Sequence, residues 1–253
     1  AYLLGLARWH QRTEADLERA LEYFVEAVTE DPAYAPAHAG LALTYAVLPA
    51  YSDLSAAEAA ERGSEAAARA LALNAHLAEA HAAIGQIAQA LEWNLESAEM
   101  AYRRAIEAQP SYATGHQWYA ETLMMRGRLG EAAREMETAL RLDPLSVSAR
   151  QARAYLLTVQ RSYALAREAF DGLLRDVPDY RLGHLGLALL CLAADCPAEA
   201  ERSLRAALPP DIAGPLVQVV RAGGSGSRPS ATRARLALRV ASIDQPCTMS
   251  WLW

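Results

Sequence analysis

The sequence predicts an all-α protein built as a solenoid of stacked helix pairs, and three observations carry that prediction. Prolines 110, 144 and 178 recur every 34 residues, each closing an alanine- and leucine-rich amphipathic run. Hydrophobic residues make up 53% of the 253, but aromatics only 7%. Few runs are rich in Val, Ile or Thr, so the apolar content favours helix over strand. Finally, apolar positions follow helical spacing: His116, Tyr119, Ala120 and Leu123 share one face, and Ala132, Met136, Ala139 and Leu140 another.

The units follow in order. In the first, Leu4, Ala7 and Gln11 precede Ala20, Phe24, Ala27 and Pro32. His38, Leu41, Ala42 and Tyr45 open a second unit that ends near Asn74, with roughly nine residues inserted around Pro49 to Leu54. The third runs from His81, Ile84, Gly85 and Ala88 to Ala98, Tyr102, Ala105 and Pro110, with one extra residue near Trp93-Asn94. The fourth is the cleanest: it starts at Ala113, turns at Gly127 and stops at Asp143-Pro144, because proline disfavours a helical residue before it. Ala120 and Ala132 are small enough for its two helices to approach closely. Arg153, Ala154 and Leu157 lead to Tyr163, Ala166, Phe170, Leu173 and Pro178 in the fifth. The sixth sets His184, Leu187, Ala188 and Cys191 before Ala200, Leu204, Ala207 and Pro209-Pro210. Six units thus span residues 1–210. Residues 211–253 read as a degenerate repeat, a cap or a C-terminal tail, since a last repeat needs its apolar side covered.

These residues resemble the tetratricopeptide-repeat family. The second-helix pattern of alanine, aromatic, alanine and proline is best kept at Ala20, Phe24, Ala27 and Pro32, and again at Ala98, Tyr102, Ala105 and Pro110. His38, His81, His116 and His184 stand where the family commonly has tryptophan. The resemblance implies a right-handed superhelix of antiparallel helix pairs, with a concave groove lined by the first helices. The opening from Trp9 to Ala42 and the segment Ser111–Ala132 are also similar to repeat regions of bacterial transcriptional regulators, adenylate cyclases and protein kinases.

If that geometry carries over, four positions of each first helix face the groove. They are Glu79, Ala82, Gln86 and Gln89 in the third unit, and Thr114, Gln117, Glu121 and Met124 in the fourth. The fifth supplies Ser148, Gln151, Tyr155 and Thr158, and the sixth Leu182, Leu185, Leu189 and Leu192. A polar middle and an apolar far end suit an extended peptide or helix with one apolar anchor. The leucine stripe also reads as packing beneath the C-terminal segment.

Several chemistries are disfavoured. The chain has no lysine, which removes Schiff-base and phosphate-loop lysines. It also removes the lysine clamp with which some tetratricopeptide proteins hold acidic C-termini, and Arg12 and Arg150 are too scattered to replace it. A net charge of −6 argues against nucleic acid as partner. Histidines one repeat apart are about 10 Å from each other, too far to share a zinc ion. Cys191, Cys196 and Cys247 show no metal-ligand spacing, and Cys191 and Cys196 read as a buried residue and a turn residue. Gly223–Ser227 is glycine-rich without a phosphate-loop context. No 18-residue apolar run appears, so neither a membrane segment nor a targeting signal is read in this stretch, and a reducing, cytoplasmic setting is expected.

The sequence therefore points to a noncatalytic protein-interaction scaffold or regulatory module that binds a peptide or protein and uses no catalytic residue, cofactor or metal. Self-association into a homodimer, through the terminal repeats or the tail bearing Trp251 and Trp253, is the alternative. An enzyme with an unrecognised site is a third, weaker reading, and only residues beyond 210 leave it room.

Overall fold

The computed structural model describes residues 1–222 and contains α-helices and no strands among them. They fall into two compact units, residues 1–142 and residues 143–222. In the first unit the helices are α1 (Tyr2–Trp9), α2 (Glu14–Glu30), α3 (Ala35–Val47), α4 (Ala56–Leu73), α5 (Ala78–Gln86), α6 (Leu95–Ala108), α7 (Ala113–Met125) and α8 (Leu129–Leu142). In the second they are α9 (Val147–Val159), α10 (Tyr163–Asp176), α11 (Arg181–Ala193), α12 (Pro197–Ala207) and α13 (Pro210–Ala222). None of the described helices is long and apolar enough to cross a membrane. Gly223–Ser227, Ala231–Val240, Cys247, Trp251 and Trp253, singled out above, lie outside the described residues.

Consecutive helices pack as hairpins: α1 with α2, α3 with α4, α5 with α6 and α7 with α8 in the first unit, α9 with α10 and α11 with α12 in the second. Within the first unit α1, α3, α5 and α7 also touch in succession, so the first helices form one layer. Three second helices there start on a side-chain cap. Thr13, Ser55 and Asn94 accept hydrogen bonds from the backbone N–H groups of Asp16, Glu58 and Ser97.

Where the period breaks, the backbone absorbs the difference locally. The insertion after α3 becomes a short 3-10 turn at Leu48–Ala50 followed by a loop. The extra residue before Asn94 is taken up by a π-helical turn over Ile87–Leu91, in which the Glu92 N–H donates to the Ile87 carbonyl at 3.1 Å. That turn keeps the following helix in phase.

Five of the six hairpin turns share a feature hardly visible in the sequence. Arg12, Trp93, Gly127, Arg161 and Asp195 occupy the same place and all have positive φ, from 56° to 75°. Only one is glycine, the residue that takes this conformation without steric cost.

The recurrent histidines have a common structural task. In His38, His81, His116 and His184, Nε2–H donates to the carbonyl six residues earlier, at Pro32, Ala75, Pro110 and Pro178, over 2.7–3.0 Å. Each histidine thereby ties the first turn of a first helix to the residue that closed the preceding hairpin. Arg150 takes this position in the fifth hairpin and instead pairs with Asp176 at 2.6 Å.

The core is built from close aromatic–glycine contacts. Phe24, Tyr102 and Phe170 are fully buried, and a Cβ placed on Gly40, Gly85 or Gly186 would fall 2.5, 2.5 or 2.4 Å from the respective ring. In the second unit, Leu216, Val217 and Val220 of α13 join Leu187, Leu190 and Leu204 in one cluster, so α13 covers the last hairpin.

Candidate binding face of the first helices

The residues expected to line a groove divide by unit. In the first, Gln86, Gln89, Gln117 and Glu121 are 4%, 1%, 5% and 3% exposed. They are interior residues, not an open floor. Tyr102 O–H donates to Gln86 Oε1 at 2.9 Å, Thr122 donates to Gln89 Oε1, and Gln117 Nε2–H donates to Glu121 Oε1 at 3.0 Å. Glu79, Thr114 and Met124 remain half-buried.

Part of the reason is a residue that the repeat pattern does not flag. Trp9, at the end of α1, is buried and meets Trp118 of α7 edge-to-face with ring centroids 6.3 Å apart. Trp118 in turn packs against Tyr102. The guanidinium of Arg12, held by the left-handed turn, lies 3.8 Å from the centre of the Trp9 ring. Trp9 is one of five tryptophans, and no repeat position marks it.

This interior is polar yet incompletely satisfied. Trp9 Nε1, Glu79 Oε2 and Glu121 Oε2 are buried without a hydrogen-bond partner among the described residues. Burial pushes the Glu121 carboxyl up to about 8, against the opposing hydrogen bond from Gln117 and the charge of Arg12. Tyr2 is likewise pushed up to about 12 by burial and by the charge of Glu79. Tyr112 is raised by the same two causes, while Arg12 acts the other way.

The first unit also carries an ionic cluster. Glu99 faces Arg128 and Arg103 at 2.7 Å and Arg126 at 3.3 Å, and Arg128 also grips Glu131. Burial raises the Glu99 carboxyl, but the Arg128 hydrogen bond and the three guanidinium charges outweigh it and hold the group below its usual range.

In the second unit, Ser148, Gln151, Tyr155, Leu182, Leu185 and Leu189 are all half-buried. Tyr155 and Leu185 lean on the core cluster, whereas Leu182 and Leu189 are not among its members or immediate neighbours. Tyr180 O–H donates to Gln151 Oε1 at 3.1 Å. Leu192, the far end of the expected stripe, is buried.

One group with metal-ligating atoms occurs among the described residues: Cys191, Cys196 and Glu199, whose ligand atoms lie within 4.8 Å of one another. The left-handed turn at Asp195 brings the two thiols together, which sequence spacing did not show. Glu199 is held by Arg167 in a two-pronged pair, and burial pushes the Cys191 thiol up to about 12. Metal binding here would have to displace a guanidinium and deprotonate a buried thiol.

The sequence matches the tetratricopeptide-repeat family over residues 94–147, 122–181 and 151–215. The chain belongs to that family. No curated protein matches it. Among solved structures it is similar to PilF of Pseudomonas aeruginosa, with TM-score 0.56, 21% identity, and 87% of this chain and 89% of that one covered. A tetratricopeptide repeat protein from Parabacteroides merdae gives 0.59 at 15% identity, covering 94% and 93%. The human IFIT1 dimer with m7Gppp-AAAA gives 0.65 at 16% identity, covering 91% of this chain but 56% of that one. At such identities the likeness shows the fold, a helical solenoid. As a tetratricopeptide-repeat protein the chain is a protein-interaction scaffold, a class that is generally noncatalytic.

Proposed function

We propose that the chain binds an extended segment of a partner protein along the first helices of its second unit. The observation that carries this is the stripe Tyr155, Leu182, Leu185 and Leu189. These large side chains are half-buried, and Leu182 and Leu189 are not among the described members or neighbours of the core cluster beside them. Gln151, whose Oε1 accepts from the Tyr180 hydroxyl, and Ser148 give the first helix beside the stripe a polar character. Affinity would come from apolar anchors on a preformed surface, with no bond chemistry required. The buried Gln86, Gln89, Gln117 and Glu121 of the first unit have no part in this contact.

The test is selection of short random-sequence peptides on the full chain, followed by calorimetry on the enriched ones. Enrichment of apolar peptides that bind the native chain and lose affinity to Leu182→Ser/Leu189→Ser is expected. Failure to enrich any peptide, or binding indifferent to that double change, would refute the reading. Light scattering run alongside registers the homodimer outcome, in which the stripe is covered by a second copy.

A further inference from the structure

The sixth hairpin brings two thiols together, and the binding stripe uses neither. Three hairpin turns close through the same kind of backbone bond: Arg128 N–H donates to the Leu123 carbonyl, Ser162 N–H to that of Leu157, and Cys196 N–H to that of Cys191. In each, the residue before the donor has positive φ: Gly127, Arg161 and Asp195. This is the helix-ending arrangement in which the side chains at the two ends of the bond meet. Of the three, the sixth hairpin alone has cysteine at both ends.

Cys191 is fully buried in the last turn of α11, and Cys196 is half-buried at the N-cap of α12. The backbone bond between them measures 2.8 Å, and the Cys196 thiol donates to the same Cys191 carbonyl at 3.3 Å. The two sulfurs lie within 4.8 Å of each other. A disulfide needs its sulfurs about 2 Å apart and its Cα atoms within about 7 Å. With the two backbones already joined by a hydrogen bond, closure falls to rotation of the thiols. A pocket lined by Cys191, Leu192, Asp195, Pro197 and Val220 opens beside them and gives a small reagent a route to the pair. Arg167 is held by Glu199, and its guanidinium lies 3.9 Å from the Cys191 sulfur.

From this geometry we infer that Cys191 and Cys196 are a reversible redox site, closing to a disulfide in exchange with a low-molecular-weight disulfide such as oxidised glutathione. The half-buried Cys196 reacts first, because burial pushes the Cys191 thiol up to about 12. Cys196 gives its proton to solvent, and its thiolate attacks one sulfur of the small disulfide. That S–S bond breaks, a mixed disulfide forms on Cys196, and the expelled thiolate takes up a proton. Cys191 then attacks the Cys196 sulfur, where proximity offsets its low thiolate fraction. The mixed bond breaks, and the Cys191 proton leaves with the second small thiol. Two protein thiols are oxidised and one disulfide is reduced to two thiols. The new bond ties the end of α11, the helix carrying Leu182, Leu185 and Leu189, to the start of α12. The disulfide requires no peptide and the stripe no oxidation, so either reading can fail without the other.

The experiment equilibrates the full chain with glutathione buffers from reduced to oxidised, in water and in concentrated urea, and quenches with acid before mass spectrometry. Arg181 and Arg202 enclose a stretch with no other arginine or lysine, so one tryptic peptide holds both cysteines. Cleavage before Asp195 parts them unless they are bonded. The peptide should lose the mass of two hydrogens and its halves should stay joined after that cleavage. Because the folded turn holds the thiols together, the equilibrium constant should be about tenfold or more larger in water than in urea. Cys196→Ser, whose hydroxyl can take over the bond to the Cys191 carbonyl, should block the mass loss with the fold preserved. Cys247→Ser should leave the result unchanged. A peptide that stays reduced or carries only glutathione, a bond to Cys247 instead, or equal constants in water and urea would overturn the proposal.

Discussion

The two units use the same repeat register to opposite ends. Polar side chains at the first-helix positions of the first unit, Gln86, Gln89, Gln117 and Glu121, are sealed inside and bonded to one another or to Tyr102 and Thr122. At the corresponding positions of the second unit, the apolar Tyr155, Leu182, Leu185 and Leu189 are only half-buried. Burial is therefore inverted relative to polarity. Repeat position says which way a side chain faces, but whether that face is open depends on what else packs there. In the first unit Trp9 reaches from α1 to Trp118 on α7.

The sharpest way to break the comparison is to destroy one core at a time. Gly85→Leu in the first unit and Gly186→Leu in the second each drive a side chain into a fully buried ring, Tyr102 or Phe170. With backbone and ring both fixed, each should cost more than about 3 kcal/mol. Thermal denaturation by circular dichroism checks this, and retention of full stability by either variant would show that its contact relaxes cheaply.

A smaller effect concerns the sealed carboxyl. The folded chain holds the Glu121 proton far more tightly than an unfolded chain, whose carboxyl titrates near the ordinary 4.5. Stability should therefore fall as pH rises from about 4.5 to about 8, with the full penalty present above. Glu121→Gln removes the penalty and should stabilise the chain by about 1–3 kcal/mol in alkaline solution. Denaturant melts across that range would show a flattened profile; an unchanged slope would contradict the burial argument.

The histidine ties sharpen the picture further. His116 places both ring nitrogens against acceptors, Glu135 at 2.7 Å and the Pro110 carbonyl at 2.9 Å, a geometry that favours the imidazolium. Its pKa is raised, chiefly by the Glu135 hydrogen bond. The extra stability is fully present below the unfolded value of 6.5 and is lost as pH rises through the raised native one. His116→Gln should cost about 1–2 kcal/mol in mild acid and less in alkali, as followed by urea denaturation. The smallest effect is expected at a turn: Arg161→Gly relieves a φ of 60° and should stabilise the second unit by about 1 kcal/mol. A fall in melting temperature would show that the arginine side chain contributes more than its backbone strain costs.

Much of this fold was legible in the sequence because proline spacing and alanine periodicity are local signals. The hairpin around Gly127 and the aromatic positions Phe24, Tyr102 and Phe170 are of this kind. The extra residue near Trp93 was legible, but its resolution as a π-helical turn was not. Left-handed residues at Arg12, Trp93, Arg161 and Asp195 were hidden because none is glycine. The candidate faces were legible only as a register. That Gln117 and Glu121 are sealed depends on long-range packing that includes Trp9, and no periodic pattern encodes such a contact. The convergence of Cys191, Cys196 and Glu199 likewise arises from turn geometry, not from spacing.

The central claim is that the second unit presents the partner-binding stripe. Its most direct test is calorimetric titration of an enriched apolar peptide lacking arginine and lysine against three forms of the full chain: native, Leu182→Ser/Leu189→Ser, and Val25→Ser. Val25 is an equally apolar but exposed residue on α2. A loss of about tenfold or more in affinity for the stripe variant, with the Val25 variant unchanged, is the predicted result. Equal affinity for all three forms would contradict it.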